Sequence, residues 1–228
     1  MSAAVDSPVP DFTAVEAMYL REIEGLTDAQ LDWEELLQEW SRWSIRRQVS
    51  HVALAYFFWF AKMWGKTLWP GAPPPDPVDF KKALVYDRRL DEEKYWRLED
   101  LLPKFSEAIG FARRAAEGRM PGELRSLALT RTFPPDLKMG QTDLPVYRFW
   151  SYMSTFHDAG VTQHSEDETT FTFTLEGMLR HMHWEALVHL RTIQRLKAAQ
   201  GLPPAAALRR EGYLLDPFFW GPEDAPVF

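Results

Sequence analysis

The sequence predicts an all-α protein, a four-helix bundle with irregular insertions and an extended C-terminal arm. The prediction rests on long stretches with apolar residues at helical spacing, at about residues 11–25, 42–65, 103–117 and 175–200. No segment has a dependable strand pattern, and proline-rich connections separate the helices. We therefore expect a single domain over residues 1–228, with the bundle at about 11–201 and the arm at 202–228.

The first two helices differ in how their apolar residues are distributed. Helix 11–25 ends at Gly25, and Thr27 or Asp28 is placed to cap a short helical piece after it. The second helix is apolar on every side over residues 49–61. A helix of this kind is central in a bundle or shared with a partner chain, so we expect a symmetric homodimer with this helix near the interface.

The middle of the chain carries weaker signals. Residues 69–77 contain five prolines, which no helix or central strand tolerates, so we expect a stiff surface connection there. The charged segment 78–96 predicts short helical pieces, and Gly118 closes the third helix. Residues 123–143 are interpreted as irregular, and the aromatic-rich residues 144–156 remain ambiguous.

The last long helix, residues 175–200, is the clearest in the chain. Thr174 is a good N-cap for it, and Gly201 with the prolines that follow ends it. Residues 169–174 alternate Thr and Phe, which fits either a short strand or an extended lead into this helix. Residues 202–228 are rich in proline and aromatic residues, and we expect them to lie across the body as an extended arm.

The composition excludes several classes of protein. Hydrophobic residues make up 46% of the chain, which is enough for a sizeable core and rules out a wholly disordered chain. The chain has 26 Lys and Arg against 33 Asp and Glu, a net charge of −7, and no basic block, so we expect no nucleic-acid partner. Cysteine is absent, which excludes disulfides, thiolate-bound metals and thiol nucleophiles. Any metal must therefore be held by nitrogen and oxygen ligands.

Targeting signals are weak. Residues 1–10 have neither the basic nor the apolar region of a signal peptide. The longest apolar run, residues 52–61, is far shorter than the roughly 20 residues that span a bilayer. We expect a cytoplasmic protein without a membrane partner.

The last helix carries two ionisable residues within its apolar stripe. Glu185 and His189 lie one turn apart on the face that Met178 and Met182 define. A buried carboxylate is costly unless it is paired, hydrogen-bonded or bound to a metal. The pattern therefore indicates either a metal or substrate site, or a structural pair formed by these residues with each other or with an arginine. A surface-exposed pair is the remaining alternative.

Other histidines are candidates for the same site. His51 opens the apolar half of the second helix and is the candidate third group, although a lone histidine there is more often a satisfied core residue. His181 lies on the edge of the same face of the last helix, and His183 is expected to point outward. His157 and His164 lie in the loop before that helix, and we expect surface positions for them, with an outer-shell or substrate-contact role as the alternative.

Two stretches of the sequence resemble the DinB-like superfamily. The first is Gly-Leu-Thr-Asp-Ala-Gln-Leu-Asp-Trp at 25–33, followed by Trp-Ser-Ile-Arg at 43–46 and by His51. The second is Leu-Arg-His-Met-His-Trp-Glu-Ala-Leu-Val-His at 179–189, followed by Ile193 and Leu196. Between them the likeness is limited to the order of the helices.

The resemblance implies a four-helix bundle of the up-down-down-up type, often dimeric, that holds a divalent metal on three histidines. By position His51 matches the first ligand and His189 the third, whereas Glu185 stands in place of the middle histidine. Two imidazoles and a carboxylate suit zinc, nickel, iron or manganese. His181, one turn before Glu185, is the alternative ligand, and Thr192 replaces a glutamine that is frequent in the family.

Two functions follow from these expectations. The resemblance implies a divalent-metal-dependent enzyme, a hydrolase or a thiol-dependent transferase, acting on a small molecule or a thiol. The alternative is a non-catalytic dimeric binding or assembly module in which the buried histidine and glutamate residues are structural.

Overall fold

The computed structural model describes residues 9–34 and 43–221, and these residues form two compact units. We call residues 12–115 and 183–221 the helical unit, and residues 9–11 and 116–182 the sheet unit. The expected single domain over residues 1–228 stays a prediction.

The helical unit begins with a series of helices. They are α1 (Phe12–Ile23), α2 (Asp28–Leu31), α3 (Ile45–Tyr56), α4 (Gly65–Leu68), α5 (Phe80–Val85), α6 (Glu92–Tyr95) and α7 (Leu98–Ala116). Between α3 and α4 the backbone continues as a π-helical segment, Phe57–Met63. The predicted second helix, 42–65, therefore changes its hydrogen-bond pattern after Tyr56, and its predicted first residue lies outside the described residues.

The sheet unit alternates short helices and strands before the long last helix begins. Its elements are α8 (Pro121–Ser126), β1 (Ala128–Thr132), α9 (Val146–Ser154), β2 (Val161–Gln163) and β3 (Thr170–Thr174). Helix α10 (Leu175–Ala199) starts in the sheet unit and continues in the helical unit from residue 183. A 3₁₀ turn (Gly212–Leu215) and helix α11 (Pro217–Trp220) follow.

The predicted all-α four-helix bundle is wrong, because the sheet unit contains a three-stranded antiparallel sheet with strand order β1-β3-β2. Strand β3 is the alternating Thr and Phe segment, so the strand alternative is the correct one. Strand β1 falls within residues 123–143, which were interpreted as irregular, and β2 falls in the loop between His157 and His164. Opposite residues in the sheet include Ala128 with Thr174 and Val161 with Phe173.

The two faces of β3 explain why this segment is a strand. Phe171 and Phe173 are fully buried on one face, where the Trp150 ring lies 4.7 Å from that of Phe173. On the other face, the hydroxyl oxygens of Thr172 and Thr130 are 2.9 Å apart. A period of two places alternate residues on opposite faces, so one face packs and the other pairs across strands.

The second long helix is apolar on every side, and the protein itself buries its apolar residues. Val49, Ala53, Phe57 and Phe60 are each fully buried within the protein. These residues therefore do not require a partner chain to cover them. The homodimer stays a prediction.

Helix α7 begins earlier than the predicted residue 103, at Leu98. Pro103 lies inside the helix, where it lacks the N–H group that would donate to the carbonyl of Glu99. The remaining backbone bonds and the buried side chains of Leu101 and Phe105 maintain the helix on both sides of the proline. None of the described helices combines the length and the apolarity needed to cross a membrane.

The C-terminal arm packs along α10 over residues 202–221, and its last residues, 222–228, lie outside the described part of the chain. The rings of Trp184 and Tyr213 are 5.3 Å apart. Gly212 has a φ of 53° and approaches the Trp184 indole so closely that a Cβ atom would overlap it. Further along, the Arg191 Nε–H donates to the Trp220 carbonyl at 3.1 Å.

Candidate metal centre

His51 is held in one tautomer by a main-chain oxygen. It lies on α3 and is buried, and its Nδ1 is 2.8 Å from the carbonyl oxygen of Arg88. Because a carbonyl oxygen only accepts hydrogen bonds, Nδ1 carries the proton and donates it. This tautomer has its lone pair on Nε2, which faces Glu185.

His189, on α10, is oriented in the same way by a side-chain amide. Its Nδ1 lies 2.6 Å from Oε1 of Gln48, which accepts the Nδ1–H. The orientation of the amide is fixed because Nε2 of Gln48 donates to the Trp43 carbonyl at 3.2 Å. The lone pair of His189 is therefore also on Nε2.

Glu185 brings a carboxylate to these two lone pairs. Its Oε1 lies 3.5 Å from Nε2 of His51 and 4.0 Å from Nε2 of His189. One ligand atom from each of the three residues lies within 4.8 Å of the others. Two ligands bound to one ion at about 2.1 Å are at most about 4 Å apart, so both distances to the carboxylate fit a shared ion.

Trp43 covers the two imidazoles. Its ring centroid lies 4.6 Å from that of His51 and 6.4 Å from that of His189. The two imidazole centroids are 4.7 Å apart. The aromatic contacts limit how far each ring can rotate, so the direction of each Nε2 lone pair is fixed by packing as well as by hydrogen bonding.

Burial gives His189 an unusual titration. Desolvation, the neighbouring His51 and the charge of Arg88 lower its pKa from 6.5 to about 3, although the Glu185 carboxylate acts in the opposite direction. The ring is therefore neutral at physiological pH. A neutral imidazole is the form that binds a metal ion.

The negative charge of Glu185 acts on three buried tyrosines. Burial raises the pKa of Tyr56 and Tyr213 well above 10.0, and the negative charge of Glu185 raises both further. Burial, together with Tyr56 and Glu185, also raises the pKa of Tyr19 well above 10.0. The Tyr19 hydroxyl donates to the Ala186 carbonyl at 2.6 Å. These phenols therefore stay protonated and add no second negative charge beside Glu185.

The structure brings together His51, Glu185 and His189 and assigns different environments to the other candidate histidines. Among the described residues, these three form the one group of at least three such side chains with ligand atoms in reach of one ion. His181 belongs to the sheet unit, where it is buried against the Trp150 ring at 4.6 Å. It is not part of the group.

Two expectations about the remaining histidines are wrong. His183 does not point outward, because its ring packs edge-on against Phe12 and its Nε2 lies 3.2 Å from the Glu211 carboxylate. His157 is not at the surface: it is buried, and desolvation with the charges of His181 and Arg180 lowers its pKa to about 3. His164 is exposed as expected, with Nε2 2.9 Å from the Thr172 hydroxyl.

Sequence reasoning missed the residues that orient the ligands. Gln48 and His51 are three residues apart on α3, so helical spacing could have placed the amide on the face of the imidazole. Arg88 contributes through its main chain, for which side-chain chemistry gives no signal. Thr192 donates to the Val188 carbonyl of its own helix at 3.1 Å.

The residues present fit a divalent ion. Two imidazole lone pairs and a carboxylate oxygen converge, and each imidazole is held from behind by a hydrogen bond to an oxygen, as is usual for metal-binding histidines. All three ligand atoms are acceptors, so a cation among them would be favourable. The group could therefore hold a metal ion.

Comparisons of the chain with protein families, with curated proteins and with solved structures give no match. The resemblance to the DinB-like superfamily therefore stays a prediction. The chemistry of the group itself is the basis for a functional proposal.

Proposed function

We propose that the protein is a divalent-metal-dependent hydrolase whose metal is bound by His51, Glu185 and His189. The observation that supports the proposal is the convergence of two oriented Nε2 lone pairs and one carboxylate oxygen within 4.8 Å. Two histidines and a glutamate are a ligand set that hydrolytic zinc sites use. Bound there, a divalent ion would act as a Lewis acid and lower the pKa of a coordinated water molecule.

Solvent reaches two of the three proposed ligands. The side chains of Glu185 and His189 are 20% and 18% exposed, so solvent reaches one side of the cluster. Three protein ligands leave at least one coordination position unfilled in a tetrahedral site. Catalytic metal sites keep such an open position, whereas structural sites fill all four positions with protein ligands.

The residues around the ligands have separate tasks in this proposal. Gln48 and the Arg88 carbonyl hold the two imidazoles in the tautomer that binds a cation. Trp43 shields both rings from water on one side.

Metal content tests the proposal first. The protein should contain close to one equivalent of a divalent ion when it is purified without chelator and without a nickel column. His189→Ala should lose the ion, whereas His164→Ala, which removes an exposed histidine of the sheet unit, should retain it. A wild type without metal would contradict the proposal, and metal retained in His189→Ala would show that a ligand is wrongly assigned.

Glu185→His separates a metal site from a structural pair. In a metal site the change creates three imidazoles, so the variant should still bind a divalent ion and should melt at a lower temperature when chelator is added. In a structural pair the change removes the carboxylate partner of His51, so the variant should be destabilised and chelator should have no effect on either protein. Thermal melts with and without chelator distinguish the two.

Activity is the second test. The metal-loaded protein should hydrolyse members of a panel of p-nitrophenyl esters and phosphates, and the rate should disappear on chelation and return when the ion is restored. Loss of metal without loss of rate would contradict a metal-dependent reaction.

A further inference from the structure

Arg88 sits at the edge of the candidate metal centre in an unusual backbone conformation. Its φ is 62°, and that of Asp87 is 46°, in the left-handed region that residues other than glycine seldom adopt. Strained residues of this kind are concentrated at functional sites. The conformation lets Arg88 present its carbonyl to His51 and its guanidinium to the Trp43 ring, with Cζ 5.1 Å from the ring centroid.

The neighbouring Arg89 lies over the same ring, but its Nε has a hydrogen-bond partner. Its Cζ also lies over the Trp43 ring, at 5.5 Å, but its Nε donates to the Glu92 carboxylate at 3.1 Å. Nε of Arg88 is buried and has no hydrogen-bond partner within the described part of the chain. The Asp87 carboxylate is 3.6 Å from it, which is close enough for an ion pair but too far for a hydrogen bond.

The position of Arg88 relative to the ligands follows from Trp43. The Trp43 ring contacts the imidazoles of His51 and His189, and the Arg88 guanidinium lies over the same ring. The side chain of Arg88 is 33% exposed as a whole, so solvent reaches part of it although its Nε is buried. A planar guanidinium whose Nε lacks a hydrogen-bond partner matches the oxygen atoms of a carboxylate or phosphate.

We propose that Arg88 binds an anionic group of the substrate, a carboxylate or a phosphate, while the scissile part of the substrate lies at His51, Glu185 and His189. The inference rests on the proposed function for the role of the metal group, and it adds the class of substrate and a specificity-determining residue. The chain carries a net charge of −7, so an anion needs a local positive group in order to bind.

Anion binding by four proteins tests the inference. Acetate and inorganic phosphate are titrated separately, by calorimetry at low ionic strength, into the wild type, Arg88→Gln, Arg88→Lys and Arg97→Gln. Arg97 is 72% exposed and forms an ion pair with Glu99, so Arg97→Gln removes the same charge from a surface position and serves as the control. Metal content and melting temperature are measured for all four proteins beforehand.

We expect Arg88→Gln to weaken binding of at least one anion tenfold or more, Arg88→Lys to weaken it less, and Arg97→Gln to leave it unchanged. An effect on acetate alone identifies a carboxylate group, and an effect on phosphate alone identifies a phosphate group. Equal affinities of the wild type and Arg88→Gln for both anions would overturn the inference, and so would an equal loss in Arg97→Gln.

The titrations are repeated on metal-free protein so that the two proposals fail separately. A wild type that binds no metal contradicts the proposed function, whereas the difference between wild type and Arg88→Gln still tests the role of Arg88. Normal metal content in Arg88→Gln, together with unchanged anion binding, contradicts the inference and leaves the metal site standing.

Discussion

At the scale of single residues, the two histidines of the candidate metal centre share one arrangement. Each donates a hydrogen bond from Nδ1 to an oxygen atom, and this bond fixes its tautomer. For His51 the acceptor is a main-chain carbonyl, and for His189 it is the Gln48 amide. A main-chain acceptor persists in any side-chain variant. The Gln48 acceptor, in contrast, can be removed or replaced, so it is the point at which the orientation of one ligand can be tested.

Gln48→Leu should weaken metal binding. The variant leaves the Nδ1–H of His189 without its acceptor and the Trp43 carbonyl without its donor, so the imidazole loses its fixed tautomer. Loss of such an outer partner typically lowers metal affinity about 10- to 100-fold. Competition with a chromophoric chelator measures the affinity.

Gln48→Glu is the matched control, because it retains an oxygen acceptor for His189. Its metal affinity should stay near that of the wild type or exceed it, since a carboxylate is a stronger acceptor for the Nδ1–H. If Gln48→Leu and Gln48→Glu bind metal equally well, Gln48 does not orient the ligand.

At the scale of elements, a buried carboxylate ties α1 to α10 and to the start of the C-terminal arm. Glu22 is fully buried, and its oxygens accept hydrogen bonds from Lys197 at 2.6 Å and from Gln194 at 2.8 Å. They also accept from the main-chain N–H groups of Ala205 and Ala206. This network uses one side chain of α1 to join two segments that lie far from it in sequence.

Glu22→Gln should destabilise the protein at neutral pH by about 3 kcal/mol, because it leaves the buried Lys197 ammonium without a counter-charge. Glu107→Gln is the control: its ion pair with Lys104 is exposed, and losing it should cost less than about 1 kcal/mol. Chemical denaturation measures both. Equal small effects would show that the Glu22 network contributes little.

The same network should make stability depend on pH. Burial alone raises the pKa of Glu22, but the hydrogen bonds from Lys197, Gln194, Ala205 and Ala206 lower it below 4.5 overall. A lowered folded-state pKa adds stability above the unfolded-state value, and this stability is lost as the pH falls through the folded-state pKa. The difference in unfolding free energy between wild type and Glu22→Gln should therefore narrow below about pH 4.5.

A close approach of backbones joins α10 to the loop before β2 in the sheet unit. A Cβ atom on Gly177 would overlap the carbonyl oxygen of Gly160, so only glycine fits there. Gly177→Ala should destabilise the protein by about 2 kcal/mol, as overpacking does. Gly122→Ala in α8 meets nothing within 4 Å and should be neutral or stabilising by about 0.5 kcal/mol. Thermal melts that rank the two variants in the opposite order would contradict this packing.

The sequence predicted the elements with a strong periodic pattern and missed those without one. Helix α10 begins at Leu175 after the predicted N-cap, whose hydroxyl accepts from the Gly177 N–H at 3.0 Å. Strand β2 has three residues, and β1 has the mixed sequence Ala-Leu-Thr-Arg-Thr, so neither carries enough alternation to be recognised. Both exist because β3 provides a partner on each edge, which is a property of tertiary structure.

The three residues of the candidate site were predictable from their chemical type and their positions on helix faces. Polar residues on an apolar helix face are visible in the sequence, and this is how Glu185 and His189 were found. The environments of His157 and His183 could not be read in this way, because Phe12 and Glu211 reach His183 from distant parts of the chain. The spacing of residues within one element does not reveal what other elements place beside them.

At the scale of the whole molecule, the assembly state is the open prediction. The apolar residues of the second long helix are buried within the chain, so a dimer would need another surface as well. Light scattering at micromolar concentration should give twice the chain mass of 26.5 kDa if the predicted homodimer forms. A mass of one chain would contradict the homodimer.

The distance along the chain between the members of the metal group has a consequence for folding. His51 and Glu185 are 185 − 51 = 134 residues apart, so a bond through a shared ion closes a loop of that length. Because the ion leaves when the chain unfolds, it stabilises the folded chain in proportion to its affinity and concentration, after the entropy of closing this loop has been offset. The chain has no cysteine with which to form such a tie. A metal at this group would give it a reversible cross-link that reductants leave intact and that chelators open.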